Sequence, residues 1–182
     1  SEGGVGTAKA AAAAARITEL NSTTLVEVCD RPSSRENALD VMSGFDLVVD
    51  GSDNFATRYL LNDACVLAGK PYIWGSVLRF DGQVSVFGLP GGPCYRCVYP
   101  SPPEPGSVPN CADAGVFGAI CGVIGSLQVS EALKLILGVG EVLSGRIAIF
   151  DALSARIEEV SIARDVHCPM GGDSPSITEL HA

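Results

Sequence analysis

The sequence predicts an α/β fold: a mixed sheet, parallel at first and antiparallel later, with helices on both faces. Three observations lead there. Short apolar runs alternate with helix-forming stretches through the first half of the chain. Alternating strands that can pair as hairpins occupy the second half. Hydrophobic residues make up 47% of the 182 positions and charged residues 18%, enough apolar material for a buried core.

The elements follow in order. Thr7–Leu20 is alanine-rich, a strong helix former, and Asn21 ends it. Leu25–Cys29 reads as a short strand. A second helix runs to about Met42, and Ser33 with Glu36 has the spacing of a capping box at its start. Phe45–Asp50 is an apolar run closed by an acid, the pattern of a buried parallel strand. A third helix spans about Phe55 to Ala68 and stops at Gly69. Pro71–Val77 is a strand, and Phe80–Gln83 turns the chain into Val84–Phe87. The stretch from Pro90 to Asn110 holds seven prolines, three glycines and two cysteines, so it reads as a long functional loop. Ala114–Leu137 reads as one buried helix or two in tandem, with Gly138 as the stop. Arg146–Phe150 and Arg156–Ile162 pair around Asp151–Ser154. This gives one domain over residues 1–172 and a flexible tail over 173–182.

Twelve basic residues stand against 21 acidic ones, a net charge of −9, which argues against a nucleic-acid partner. Glycine and polar residues break up the longest apolar stretch, and the N-terminus has no basic and apolar leader pattern, so a membrane role is not expected. Seven cysteines without such a leader fit reduced thiols and metal ligands in the cytoplasm.

Three groups of residues carry chemistry. Asp50-Gly-Ser-Asp53-Asn54-Phe-Ala-Thr-Arg58 lies where an apolar strand ends and a helix begins, the edge at which open α/β sheets bind ligands. Asp53 could hold Mg²⁺ or accept from a ribose, and Asn54 could donate to a phosphate; either could instead simply cap the helix. Cys94-Tyr-Arg-Cys97 with distant Cys168 offers three thiolates where a tetrahedral Zn²⁺ wants four ligands. Gly171 stands where the fourth would be, with His167 or Asp173 as imperfect substitutes, and a redox pair is the competing reading. Cys111 precedes the long helix, where the positive helix end favours a thiolate, although Asp113 opposes that; the alternative is a small buried cysteine, the default for Cys29, Cys65 and Cys121. Lys9, alone among alanines, reads as a solvated helix face.

Together with Arg79-Phe-Asp-Gly-Gln83-Val-Ser-Val-Phe87, Asn110-Cys111-Ala-Asp-Ala-Gly115-Val and Gly122-Val-Ile-Gly-Ser-Leu-Gln128-Val-Ser-Glu131-Ala-Leu-Lys134, these stretches resemble the ThiF/MoeB family of ubiquitin-activating-type adenylyltransferases, in particular its MoeB/MoeZ branch. The resemblance runs from about Gly6 to Cys168. It implies a Rossmann-like fold and a Mg-ATP-dependent adenylation of the C-terminal glycine of a ubiquitin-like sulfur carrier, as in molybdopterin, thiamine or tRNA-thiolation sulfur transfer. It also implies a homodimer. By motif, Lys9, Asp53 and Asn54 correspond to ATP- and Mg²⁺-contacting residues, Cys94, Cys97 and Cys168 to zinc ligands, and Cys111 to a cysteine that in some members bonds covalently to the carrier. No Gly-x-Gly-x-x-Gly turn follows a strand, so the family's N-terminal third is expected to be missing and the fragment to be incomplete as an enzyme. A non-catalytic module that binds a carrier or sister subunit is the alternative. A relative that adenylates a small molecule or a modified RNA is a third possibility.

Overall fold

The computed structural model describes residues 5–104, 106–108 and 114–180. It divides into two compact units, Ser1–Ser34 and Arg35–Ala182. In the first, α1 (Lys9–Leu20) has no buried residue and ends at Asn21, whose N–H bonds to the Ile17 carbonyl at 2.8 Å. The expected strand at Leu25–Cys29 does not form, and Leu25 is 97% exposed. A strand exists only through a paired neighbour, which an apolar alternation cannot supply by itself.

The second unit carries a five-stranded sheet in the order β1-β2-β3-β4-β5. Its first pair is parallel, and the other three pairs are antiparallel. The second helix, α2 (Ala38–Ser43), begins later than expected: Asn37 is its N-cap, and Glu36 pairs with Arg35 Nε at 2.6 Å instead of completing a capping box. β1 shrinks to Val48–Val49, held by Val48 N–H on the Pro71 carbonyl and Asp50 N–H on the Ile73 carbonyl. α3 (Phe55–Ala68) has both expected ends: the Asn54 side chain accepts from Thr57 N–H, and Gly69 closes the helix at φ 63°.

β2 (Tyr72–Leu78) and β3 (Asp81–Phe87) form a hairpin across Arg79 and Phe80, so the turn comes earlier than the sequence suggested. Arg79 takes a positive φ of 54°, and its backbone groups bond to Gly115 and Phe117. That pairing holds Val116 beside Arg79 and delays α5 to Gly118–Leu137. Among the described residues of the proline-rich stretch the regular element is α4 (Tyr95–Val98), placed where it has no proline. β4 (Arg146–Asp151) and β5 (Arg156–Ser161) finish the sheet, and the Asp151 carboxylate secures their turn through Leu153 N–H and Ser154 Oγ–H.

Strand alternation sorts the core into two clusters on opposite faces of the sheet. Tyr72, Trp74, Phe87 and Ile147 pack with Met42, Tyr59 and Cys65 from α2 and α3. Ile73, Val84, Val86 and Ala148 pack with Ile120 and Ile124 of α5. By length and composition α5 could cross a membrane, which the sequence pattern had not suggested; here its buried residues are Ile120, Ile124, Gln128 and Glu131, the first two in the core against the sheet. Beyond Cys168 the chain continues to pack: Asp173 pairs with Arg164 at 2.8 Å, and Ile177 N–H bonds to the Pro169 carbonyl.

Candidate functional site

β1 ends at the C-terminal edge of the parallel pair, and the chain crosses to α3 through Asp50, Gly51, Ser52 and Asp53. Asp50 is fully engaged within the fold. One carboxylate oxygen accepts Ser52 N–H at 2.7 Å and the other the Tyr72 hydroxyl at 2.6 Å, in a position only 2% exposed. Burial, then the charge of Asp50 and its hydrogen bond, push the Tyr72 pKa up, so Tyr72 keeps its proton and stays a donor. Gln128 of α5 reaches across the sheet, its amide nitrogen donating to the Asp50 carbonyl at 2.7 Å and the Ile73 carbonyl at 3.1 Å. That reach requires Gly75: a Cβ there would lie 2.6 Å from Gln128 Cδ.

The scaffold opens into a cavity of about 300 Å³ lined by Asp50, Ser52, Asp53, Arg58, Gly75, Cys121 and Gln128. Asp53 is exposed at its mouth. Asn54, next to it, spends its side-chain oxygen on the helix cap at 2.8 Å, which leaves the amide NH₂ for a ligand. Arg58 is only 8% exposed and, among the described residues, has no carboxylate partner. Its Nε and the Ser52 hydroxyl are buried without a hydrogen-bond partner, and its contact to the Ser52 carbonyl is long at 3.4 Å. Its guanidinium lies over the Phe55 ring, 5.5 Å from the centroid, but a buried cation without a counter-charge is costly, and an anion in the cavity would lower that cost.

Arg58 and Ser76 also line a second cavity of about 420 Å³. Its walls are aromatic: Phe55 and Tyr59 from α3, Trp74 from β2, Tyr95 from α4, and Tyr99. The rings pack closely, with centroids 5.2 Å apart for Tyr59–Tyr95 and 4.9 Å for Tyr95–Tyr99. The Tyr59 hydroxyl reaches the Ser101 carbonyl at 2.7 Å and pins the loop that follows α4. Arg96 clamps the other end of α4, forking onto both oxygens of Asp63 at 2.7 Å each.

Cys94, Cys97 and Cys168 come together with all three sulfurs within 4.8 Å of one another. The Cys94–Cys168 and Cys94–Cys97 separations are 3.6 and 3.7 Å. With zinc–sulfur bonds of about 2.3 Å, the edge of a zinc tetrathiolate tetrahedron is about 3.8 Å, so these three donors fit the ion. Burial and the two neighbouring thiols push the Cys94 pKa up, the condition a bound cation would relieve.

Asp53 thus lines the first cavity, Asn54 follows it as the cap of α3, and the three cysteines form one cluster. Lys9 belongs to the N-terminal unit, where it opens α1 with an exposed side chain. Cys111 lies outside the described residues. Cys29 and Cys121 are exposed, not buried as their residue type suggested, whereas Cys65 is buried. Sequence reasoning quoted Arg58 within its stretch but gave it no role; the available signal was a cation three positions after Phe55, on the helix face that turns inward. Ser52 and the aromatic cavity gave no comparable signal.

The ThiF family, by its sequence profile, matches residues 1–170. A sulfur carrier protein adenylyltransferase from Thermus thermophilus is 49% identical over 181 residues, covering 97% of this chain and 67% of that protein. An adenylyltransferase and sulfurtransferase MOCS3 from Drosophila grimshawi is 48% identical over 177 residues, covering 96% of this chain and 39% of that protein. Among solved structures, E. coli MccB with MccA-N7isoASN superposes with a TM-score of 0.78 at 19% identity, over 94% of this chain and 54% of that one, a likeness of fold. The chain therefore spans about two thirds of one relative's length and about two fifths of another's.

Proposed function

The chain belongs to the ThiF family, and from that premise we propose that it forms part of a site that adenylates the C-terminal glycine of a ubiquitin-like sulfur carrier with ATP. The observation that carries this reading is the placement of Arg58, a buried cation without a carboxylate partner among the described residues, in the wall shared by a cavity at the sheet edge, which Asp53 and Ser52 line, and an aromatic one beside it.

The nucleotide occupies the sheet-edge cavity, which Asp53 lines, with Asn54 next in the chain; for Lys9 the resemblance alone suggests an ATP-contacting role. Asp53 offers the hard oxygen donor that Mg²⁺ takes, and the ion when bound neutralises charge on the departing pyrophosphate. The carrier's extended tail enters along the aromatic walls, whose rings accept an apolar backbone without demanding side chains. Arg58 draws the terminal carboxylate to the junction and orients it. A carboxylate oxygen attacks the α-phosphorus, the bond to pyrophosphate breaks, and the acyl-adenylate forms. The Cys111 thiolate, the residue this reading assigns to the next stage, then attacks the acyl carbon, AMP leaves and a thioester forms. Hydrosulfide from an external sulfur donor attacks the thioester, the Cys111 thiolate leaves and the thiocarboxylate results. The buried Ser52 hydroxyl, free of other partners, donates to a phosphate or carboxylate oxygen.

This reading puts the chain in the cytoplasm, where its thiols stay reduced, and gives it no nucleic-acid or membrane partner. For the homodimer, the exposed stripe Val129, Leu133 and Ile136 on α5 is the available apolar face.

The test is ATP–pyrophosphate exchange driven by a glycine-terminated carrier, on a polypeptide carrying this sequence at the full length of its relatives. Asp53→Ala should lower exchange on the order of 10²-fold or more, and Arg58→Ala should raise the KM for carrier more than that for ATP. Unchanged exchange in Asp53→Ala overturns its assignment. Calorimetry showing carrier binding without nucleotide binding would make the chain a docking module.

A further inference from the structure

We propose that the three-cysteine cluster is an open metal site. Cys94, Cys97 and Cys168 hold a thiophilic divalent cation, and the corner of the tetrahedron next to Gly171 is left to an exchangeable ligand from outside the chain, a water or a small thiolate.

The backbone at that corner is built as if for a fourth ligand. Gly171 follows Cys168 at the same interval that separates Cys97 from Cys94. Its N–H donates to Cys168 Sγ at 3.4 Å, so the turn already wraps the sulfur. A Cβ at position 171 would sit 3.2 Å from Cys94 Sγ and 4.0 Å from Cys97 Sγ, so any side chain there points into the cluster. Glycine supplies none.

Nearby donors lie outside the cluster. The His167 side chain is exposed and is not among the donors that come within 4.8 Å of one another, which are Cys94, Cys97 and Cys168. Asp173 pairs with Arg164. Met170 packs in the same small core cluster as Cys94 and Cys168, which makes its thioether a further internal competitor. Thioethers suit softer metals than Zn²⁺, which prefers thiolate, imidazole or carboxylate.

Three thiolates around Zn²⁺ carry one net negative charge with water in the fourth position. When a thiol replaces that water, it gives its proton to the buffer, the water leaves, and the complex gains one negative charge. Sites with three protein ligands are those that exchange or activate a fourth, whereas four-ligand sites are closed. Because Cys94 is the N-cap of α4 and Cys97 lies within it, the ion would also fix the element that presents Tyr95 to the aromatic cavity.

The experiment titrates the chain with Co²⁺, whose visible spectrum reports ligand number and type, and then adds β-mercaptoethanol. The expected result is one equivalent bound, with a thiol-dependent increase in sulfur-to-cobalt charge transfer. Gly171→Cys should bind Zn²⁺ on the order of tenfold more tightly or better and lose the thiol response, since its own sulfur fills the corner. Met170→Leu should leave the wild-type spectrum unchanged. A thiol-insensitive wild-type spectrum overturns the proposal, as does a spectrum altered by Met170→Leu or no binding at all. The thiol response of the wild-type chain decides the matter even if Gly171→Cys does not fold.

Discussion

Gly75→Ala tests whether the mouth of the sheet-edge cavity is built as described. The new methyl would lie 2.6–2.7 Å from three atoms of the Gln128 side chain, inside any allowed contact. Gln128 must therefore leave, and with it the hydrogen bonds to the Asp50 and Ile73 carbonyls. The Ile73 carbonyl keeps Asp50 N–H at 2.9 Å, so the loss falls on the Asp50 carbonyl. Leaving one buried acceptor unmet costs about 1–3 kcal/mol, and forcing a side chain out of a packed position adds about 1–3 kcal/mol. The single substitution should therefore destabilise by about 2–4 kcal/mol, since the two costs overlap in part. Gln128→Ala should cost about 1–3 kcal/mol by the first route alone. In the double variant the methyl introduced at position 75 occupies space that Gln128 has vacated, so Gly75→Ala adds almost nothing. Urea unfolding of the four proteins gives the coupling directly, with about 2–4 kcal/mol of non-additivity expected, the whole cost of Gly75→Ala alone. Costs that sum within about 0.5 kcal/mol would refute the clash and the bridging role of Gln128 together.

Two further outcomes follow from the same structure. Burial, reinforced by the charge of Asp50 and partly offset by Lys70, pushes the Cys65 thiol up to about 12 from 9.0. The folded state holds that proton more tightly, so stability is full below pH 9 and falls as pH rises towards 12, by up to about 1.4 kcal/mol per pH unit. Cys65→Ala should flatten the alkaline limb of a stability–pH curve, and an unchanged slope would contradict the assignment. The Asp63–Arg96 pair is nearly buried, with side chains 10% and 13% exposed. Asp63→Asn or Arg96→Met alone should cost about 3–5 kcal/mol in chemical unfolding, whereas Asp63→Leu with Arg96→Met should recover much of that.

Local signals made much of the fold readable. Asn54 and Gly69 bracket α3 as a polar cap and a left-handed stop must, and the parallel-then-antiparallel order follows from where helices intervene between strands. Legibility failed wherever a partner distant in sequence decides. Leu25–Cys29 has the right alternation but no ladder, and Glu36 turns to Arg35 instead of capping a helix. Position 79 turns a hairpin with an arginine, because Val116 comes alongside and its flanking residues bond to it. The candidate site divides in the same way. Asp53 and Asn54 lie in a contiguous stretch at a strand end, and Cys94 with Cys97 shows by spacing. The aromatic cavity draws Tyr59, Trp74, Tyr95 and Tyr99 from separate segments, and no short window of sequence contains it.

The inward face of α3 explains why Arg58 stands out. Positions 55, 58, 59, 62 and 63 recur at helical spacing, and three of them are polar or charged in a buried setting. Two of those three are fully matched within the chain. Asn62 accepts Tyr95 N–H at 2.8 Å and donates to Asp63 at 2.9 Å, while Asp63 takes the Arg96 fork. Buried polar groups are retained at a cost unless each is satisfied, and this helix meets that condition at its C-terminal half. At its N-terminal half it does not: Arg58 Nε and the neighbouring Ser52 hydroxyl are left over, both in the lining of the sheet-edge cavity. A fold that satisfies Asn62 and Asp63 so fully, one turn away, has the means to satisfy Arg58 as well. That it leaves the Arg58 Nε–H and the Ser52 hydroxyl unmatched, beside a cation with no carboxylate partner among the described residues, points to a ligand that brings its own oxygens.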